Sequence, residues 1–274
     1  MSNVDDLLGQ LAHEDAILIT VHTTRGSVPR EPGAWMAVFD QRSVGTVGGG
    51  HLEFQAITQA RQRLQGGQGE LVVRYALGPS LGQCCGGEVH LKFERVTASD
   101  RAALQLRLTE LRYPVALFGG GHVGQALVRV LGHLPVQVTW IDSRDEVFPV
   151  QRPANIQCEH SDPVQAGVTL LVPGSRVLIM SFSHAEDLEV VAACLTRQRL
   201  QADLPYVGLI GSQTKWATFG HRLEARGFTP QELAHVTCPI GVPGIAGKQP
   251  EVIAVAVAAQ ILQTLPGPGA SREH

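Results

Sequence analysis

The chain has 274 residues, of which 44% are hydrophobic and 17% are charged, and its formal net charge is −3. These values allow one large domain or two smaller ones, each with a substantial apolar core. The lack of a long lysine or arginine run and an aromatic content of only 5% exclude a broad nucleic-acid-binding surface.

The sequence shows no sign of secretion or membrane insertion. Its N-terminus is acidic and has no apolar segment of the kind that a signal peptide needs. No apolar run approaches the roughly 18 residues that span a bilayer. The cysteines are odd in number and widely spread, which does not fit a disulfide framework. We therefore expect a reduced, cytoplasmic protein.

The first 96 residues predict an α+β domain. Apolar residues at helical spacing indicate a short amphipathic helix over 4–13, and a longer helix follows three glycines and ends near Leu64. Runs rich in isoleucine and valine predict strands over 16–23, 34–39, 43–47, 71–76 and 89–93. The second and third of these strands are expected to form a hairpin.

From residue 97 onward the pattern changes. Residues 97–112 predict a linking helix, capped by Ser99-Asp100, and residues 113–265 predict a Rossmann-like α/β domain with a mainly parallel sheet. Its strands are predicted over 114–118, 136–141, 177–180 and 206–210, and its helices over 123–132, 185–198 and 250–265. The glycine- and proline-rich tail, 266–274, is expected to be disordered.

Two adjacent cysteines followed by two glycines stand between the last two predicted strands of the first domain, in Gln83-Cys84-Cys85-Gly86-Gly87-Glu88. The glycines remove side chains from the backbone beside the thiols, so that a bulky group can approach. The lack of metal-ligand spacing argues against zinc. Two interpretations stay open: a thiol that binds or shields a soft cofactor, and two small buried apolar residues beside a turn.

A second glycine-rich turn, Gly48-Gly49-Gly50, opens a predicted helix. It lacks the lysine of a P-loop, but its bare amides can hold a phosphate or another oxyanion. Glu53, in the first helical turn, either belongs to such a site or simply complements the helix dipole. Arg25 and Arg30 flank the preceding turn-rich loop, where they suit a planar anion or are ordinary surface charges.

Residues 119–124, Gly-Gly-Gly-His-Val-Gly, fit the G-x-G-x-x-G pattern between a predicted strand and a helix. Gly119 would allow the tight turn, Gly121 the approach of a phosphate, and Gly124 the packing of helix on strand. Asp142 ends the next strand, where a ribose-binding acid is expected. Arg144 then either pairs with a 2′-phosphate or is an ordinary exposed residue. The alternative to a cofactor site is a scaffold whose glycine turn serves packing.

Two further loops follow predicted strands and start helices. In the first, His184 and Asp187 are three residues apart on one helical face. In the second, Ser212 and Lys215 stand where backbone amides and an ammonium group can complete an anion pocket. Both loops lie at the carboxyl ends of strands, where ligands bind in such folds. Ordinary helix caps are the alternative for both.

Together these motifs resemble those of the XdhC/CoxI family, accessory factors of xanthine dehydrogenase maturation. The resemblance covers nearly the whole chain and depends on the order and spacing of the motifs. The matching stretches are 26–30 with Gly33-Ala34, 48–53, 83–87, 119–124, 208–212 with Lys215, and Cys238-Pro239-Ile240-Gly241. The chain departs from the family pattern at Ser181 and Phe182, where threonine and histidine are expected in many members.

The resemblance implies a protein that binds the molybdenum cofactor (Mo-molybdopterin), protects it and supports its sulfuration by a cysteine desulfurase. It then inserts the cofactor into the molybdenum-binding subunit of xanthine dehydrogenase. The cofactor is a pyranopterin with a phosphate and a dithiolene-bound molybdenum. Cys85 takes the position of the family's C-G-G cysteine and is the expected metal ligand, whereas Cys84 belongs to a narrower pattern. The Rossmann-like domain would bind the phosphate, a nucleotide or nothing.

We therefore expect a carrier and chaperone without turnover of its own, acting as a homodimer. The residues expected to bind the cofactor are Cys84, Cys85, Gly86, Gly87, Gly48, Gly49, Gly50, Glu53, Arg30, Gly119, Gly121, Gly124, Asp142, His184, Ser212 and Lys215. One alternative is an NAD(P)-dependent oxidoreductase that uses the glycine turn and Asp142. The other is an interaction scaffold with vestigial sites.

Overall fold

A computed structural model of the chain describes residues 3–77, 87–109 and 112–266. The chain divides into two units, residues 1–109 and 110–274. Each unit has its own sheet and its own hydrophobic cores. In the described ranges, no helix is long and apolar enough to cross a membrane.

The first unit is an antiparallel sheet with helices on both faces. Its elements are α1 (Asn3–Gln10), β1 (Ala16–Arg25), β2 (Trp35–Val38), β3 (Ser43–Gly45), α2 (Gly50–Leu64), β4 (Val72–Ala76), β5 (Glu88–Val96) and α3 (Arg101–Leu108). The strands lie in the order β3-β2-β1-β5-β4, and all neighbours are antiparallel. The predicted hairpin is β2 and β3.

Strand β1 is buried on both faces over its first half because its apolar residues form a continuous run. Ile17 and Ile19 belong to the core that includes Leu52 of α2. Leu18 belongs to the other core, with Leu7 of α1 and Leu104 of α3. The sheet is therefore covered by α2 on one face and by α1 and α3 on the other.

The cap before α3 differs from the predicted one. Thr97, not Ser99, caps this segment: its hydroxyl accepts from the Ser99 amide, and the Asp100 carboxylate accepts from the Thr97 amide at 2.8 Å. This reciprocal pair is a capping box, and it directs the chain from β5 into a short 3₁₀ turn and then α3.

The second unit is a parallel sheet between two layers of helices. Its elements are β6 (Tyr113–Phe118), α4 (His122–Leu131), β7 (Val136–Asp142), β8 (Ile156–His160), β9 (Arg176–Ile179), α5 (His184–Gln201), β10 (Tyr206–Leu209), α6 (Gln213–Ala225), α7 (Pro230–Leu233), β11 (Val236–Thr237) and α8 (Pro250–Gln263). The strands lie in the order β8-β7-β6-β9-β10-β11, and all neighbours are parallel.

This strand order, read from β6 outward on each side, is the 3-2-1-4-5-6 order of dinucleotide-binding folds. The predicted combination of an α+β unit with a Rossmann-like unit is thereby confirmed. Helices α4 and α8 cover one face of the sheet, and α5 and α6 cover the other. The order reverses between β6 and β9, so the loops that follow these two strands face a shared crevice at the carboxyl edge.

Candidate functional site

In the first unit, three separate motifs meet through close contacts at two glycines. A Cβ atom on Gly48 would lie 2.5 Å from Cγ of Pro29, and a Cβ atom on Gly87 would lie 2.2 Å from the carbonyl oxygen of Ser27. Contacts this short leave no room for any side chain at either glycine. The loop over residues 26–30 therefore packs against both the glycine turn before α2 and the glycine at the start of β5.

Of the cysteine motif, Gly87 and Glu88 belong to the described residues. Cys84, Cys85 and Gly86 lie outside the described residues. Gly87, two residues after Cys85 in the sequence, accepts a hydrogen bond from the Leu77 amide at 2.7 Å. This bond joins the two described ends that flank residues 78–86, and it extends the pairing of β4 with β5.

The turn before α2 is held by Glu53. Its Oε2 accepts from the Thr46 hydroxyl at 2.5 Å, the Gly49 amide at 3.0 Å and the Val47 amide at 3.2 Å. Gly48, Gly49 and Gly50 all have positive φ angles, which glycine adopts without strain. The amides of Val47, Gly48 and Gly49 are thus all occupied internally. An anion would meet the first amides of α2, which have no intrahelical acceptor.

Replacing Glu53 by alanine is expected to lower the free energy of unfolding by about 2–3 kcal/mol, because hydrogen bonds to a charged group are the strong class. Glu53→Gln keeps one acceptor oxygen and should lose less than half of that. Urea unfolding of both variants, followed by circular dichroism, measures the difference. Equal losses in the two variants would contradict the role assigned to the carboxylate.

Arg30 is exposed at the end of the 26–30 loop. It forms no hydrogen bond or ion pair with any residue that the structure describes. Arg25 is the last residue of β1 and pairs with Glu88 across the strands. The hydrogen bond from Arg74 is the largest cause that holds the pKa of Glu88 below its ordinary value, and the charges of Arg74, His90 and Arg25 act in the same direction.

In the second unit, the three glycines of the 119–124 turn have different surroundings. A Cβ atom on Gly119, which has φ of +120°, would lie 1.9 Å from the Met180 carbonyl oxygen. One on Gly124 would lie 2.2 Å from the Gly119 carbonyl oxygen. One on Gly121 would meet nothing within 4 Å. Gly119 and Gly124 thus serve close packing, while Gly121 faces open space at the N-terminus of α4.

Asp142, at the end of β7, is 1% exposed and fully hydrogen-bonded. Oδ2 accepts from the Gly120 amide at 2.6 Å and from Nη2 of Arg144 at 3.0 Å. Oδ1 accepts from both the amide and Nε of Arg144 at 2.9 Å. Burial acts to raise the pKa of Asp142, but these hydrogen bonds outweigh it and hold the pKa below its ordinary value. The carboxylate is therefore ionised and internally engaged.

The two remaining predicted loops are joined by a buried ion pair. Nζ of Lys215 lies 2.6 Å from Oδ2 of Asp187, and these side chains are 11% and 3% exposed. Nζ also donates to the Ile210 carbonyl at 2.8 Å, and Oδ1 of Asp187 accepts from the Ser181 amide at 2.7 Å. The structure thus brings the ends of β9 and β10 together through Lys215, whose charge is balanced by Asp187.

Ser212 and His184 have simpler positions. The Ser212 hydroxyl accepts from the Lys215 amide at 3.1 Å and so caps α6. His184 is exposed as the first residue of α5, and its ring lies 6.4 Å from that of Phe219, edge to face. Ser181 carries a buried hydroxyl without a hydrogen-bond partner in the described part of the chain.

Cys238 belongs to this region, although the motifs did not single it out as a site residue. Its Sγ lies 4.0 Å from the Ser212 carbonyl oxygen. Burial raises the pKa of this thiol, while Lys215 lowers it and Asp187 raises it. The following segment is fixed by Gln260, whose Oε1 accepts from the Gly241 amide and the Tyr206 hydroxyl, both at 2.7 Å. The stretch Cys238-Pro239-Ile240-Gly241 was the available signal.

No group of three or more histidine, cysteine, aspartate or glutamate side chains that could hold a metal ion occurs within residues 3–77, 87–109 and 112–266.

Comparison with known proteins gives matches over both units. A family model for the XdhC Rossmann domain matches residues 115–261, and one for the XdhC and CoxI family matches residues 10–76. The Escherichia coli K12 protein YqeB, named only as uncharacterized, is 25% identical over 244 residues. That alignment covers 88% of this chain but 42% of YqeB, so the chain spans less than half of that relative.

A crystal structure from Bacillus halodurans, named as a xanthine dehydrogenase, superposes on this chain with a TM-score of 0.80. The sequences are 21% identical, and the superposition covers 100% of this chain and 98% of the other, which shows a common fold. The matched Rossmann domain alone makes up more than half of the 274 residues. Because one family model matches the first unit and the other matches the second, the chain belongs to the XdhC and CoxI family.

Proposed function

We propose that this protein is a cytoplasmic carrier and insertion chaperone for the molybdenum cofactor. It binds the pyranopterin, shields the molybdenum and supports sulfuration by a cysteine desulfurase. It then delivers the cofactor to the molybdenum-binding subunit of xanthine dehydrogenase, acting as a homodimer without turnover of its own. Membership of the XdhC and CoxI family supports this role.

The observation that carries the proposal is the meeting of three motifs in the first unit. Pro29 lies against Gly48, and Ser27 lies against Gly87, beside the cysteine motif in the sequence. Gly49, between the packed Gly48 and the start of α2, has nothing within 4 Å of its Cβ position. Segments that are distant in sequence thus form one structural region, with free space beside Gly49 of its glycine turn.

The two chemically different ends of the cofactor suit different residues of that region. A thiolate is a soft ligand, and Cys85 is proposed to contact the molybdenum, whose dithiolene already supplies two sulfur ligands. Arg30, exposed and unpaired among the described residues, is proposed to bind the phosphate with the first amides of α2. Glu53 keeps the turn in shape for this contact.

Metal and pterin analysis of protein purified from a cofactor-producing host tests the proposal. Molybdenum and pterin are expected to coelute with the wild-type chain in gel filtration. The pterin is detected by its fluorescence after oxidation of the collected fractions. Cys85→Ala should lose most of the bound molybdenum, and Arg30→Ala should weaken retention of the pterin. Activation of coexpressed xanthine dehydrogenase should fall in parallel in Cys85→Ala.

Cys158→Ala is the matched control, because this half-buried thiol belongs to β8 of the second unit. It should retain the cofactor like the wild type. Equal molybdenum content in Cys85→Ala and Cys158→Ala would contradict the proposal that Cys85 contacts the molybdenum. If the wild-type chain carries neither molybdenum nor pterin, the proposed carrier function is wrong.

A further inference from the structure

Asp142 occupies the position of the ribose-binding acid of dinucleotide-binding domains, at the end of the second strand of the fold. An ionised carboxylate has about four acceptor positions. All four are filled here, one by the Gly120 amide and three by Arg144. The hydroxyls of a ribose would find no free acceptor on Asp142.

Arg144 also reaches across the crevice. Its guanidinium lies 4.3 Å from the ring centroid of Phe182, which follows β9 and is 66% exposed. This is a cation–π contact between the loop after β7 and the loop after β9. A hydrogen bond joins the same two segments, since the Ser143 hydroxyl donates to Oε1 of Glu186 at 2.6 Å. The Glu186 carboxylate in turn accepts from the Phe182 amide at 3.0 Å.

The same loop covers the middle of the glycine turn. Cγ2 of Val147 would lie 2.5 Å from a Cβ atom on Gly120, so its methyl group fills the space above that glycine. Gly121, one residue further, has nothing within 4 Å of its Cβ position. The crevice is therefore covered on the β7 side of the turn and open at the start of α4.

We propose that Arg144 is a built-in occupant of the ribose position and makes this domain select against adenine dinucleotides. Its planar fork takes the hydrogen bonds on Asp142 that a ribose diol would take, and its charge lies over the ring of Phe182. A dinucleotide would have to displace the two guanidinium hydrogen bonds and the cation–π contact before binding. This inference stands apart from the proposed cofactor function and concerns the second unit alone.

Fluorescence titration with NADH and NADPH, on the full chain, tests this selectivity. The wild type should show no saturation with either nucleotide up to about 1 mM, which corresponds to very weak binding. Arg144→Ala frees the two acceptor positions of Asp142 that the guanidinium fills, and it should bind NADH about tenfold more tightly or better, since hydrogen bonds to a carboxylate are strong. Phe182→Ala, which loosens Arg144 without exposing a buried charge, should shift binding in the same direction by less.

Arg129→Ala is the matched control, since it removes an exposed arginine from α4 of the same unit and should gain no nucleotide binding. Saturable NADH binding by the wild type would overturn the inference. Tight NADPH binding that is lost in Arg144→Ala would also overturn it, because Arg144 would then be a phosphate receptor. If Arg144→Ala fails to fold, Phe182→Ala decides, and no gain in that variant counts against the proposal.

Discussion

Gly119→Ala is expected to lower the free energy of unfolding of the Rossmann unit by about 3 kcal/mol or more, because it combines backbone strain with overpacking. The residue has φ of +120°, and the new Cβ would lie 1.9 Å from the Met180 carbonyl oxygen. Backbone on both sides must then shift. Denaturant unfolding followed by tryptophan emission measures the loss, since buried Trp140 donates to the Gly119 carbonyl at 2.9 Å.

Gly121→Ala is the matched control for this result. Gly121 has φ of −69°, and its Cβ position has nothing within 4 Å. The stability of Gly121→Ala should stay within about 1 kcal/mol of the wild type, because the position is open and the one cost is alanine at the N-cap of α4. Similar losses for the two variants, or none for Gly119→Ala, would show that the turn is not held as described.

Asp187→Ala is expected to cost about 3–5 kcal/mol of stability, because it leaves a buried charge without its partner. The ammonium of Lys215, 11% exposed in the wild type, would keep the Ile210 carbonyl as its one acceptor among the described residues. The Ser181 amide would lose its partner. Chemical denaturation of the full chain measures the loss. Adding Lys215→Met removes the stranded charge, so the double variant should be more stable than Asp187→Ala.

The same helix offers a control for this prediction. Glu189 of α5 forms an ion pair with Arg226 at 2.7 Å, but both side chains are 42% exposed. Glu189→Ala should stay within about 1 kcal/mol of the wild type, because solvent screens exposed pairs. A loss in Asp187→Ala no larger than in Glu189→Ala would contradict the burial argument.

The parallel sheet was predictable from the sequence because its central strands are short apolar runs. Strands β6, β9 and β10 are mostly buried, which leaves a nearly continuous apolar signal. In β7, the half-buried Gln137 and Thr139 alternate with buried apolar residues before the run Trp140-Ile141. Strand β8 lies at the edge and carries Gln157, Glu159 and His160, so its pattern resembles a loop. Strand β11 has only two residues, too few for any pattern.

The packing role of the glycine turn in the second unit was easier to predict than the side-chain pairs around it. The glycine pattern indicated that Gly124 packs the helix on the strand, and its Cβ position confirms a close contact with the Gly119 backbone. The engagement of Asp142 by Arg144 depends on a side-chain rotamer, which spacing does not define. The pair of Asp187 and Lys215 joins positions 28 residues apart and depends on the order of the strands.

The position of β5 has a consequence for any attempt to divide the chain. The XdhC and CoxI family model ends at residue 76, but β5 lies between β1 and β4 in the sheet. A fragment that stops at 76 would leave β4 with no neighbour and would open a long hydrogen-bonding edge on β1. Exposed edges of this kind recruit other chains, so such a fragment should self-associate. A cut after Thr109 keeps the five strands together.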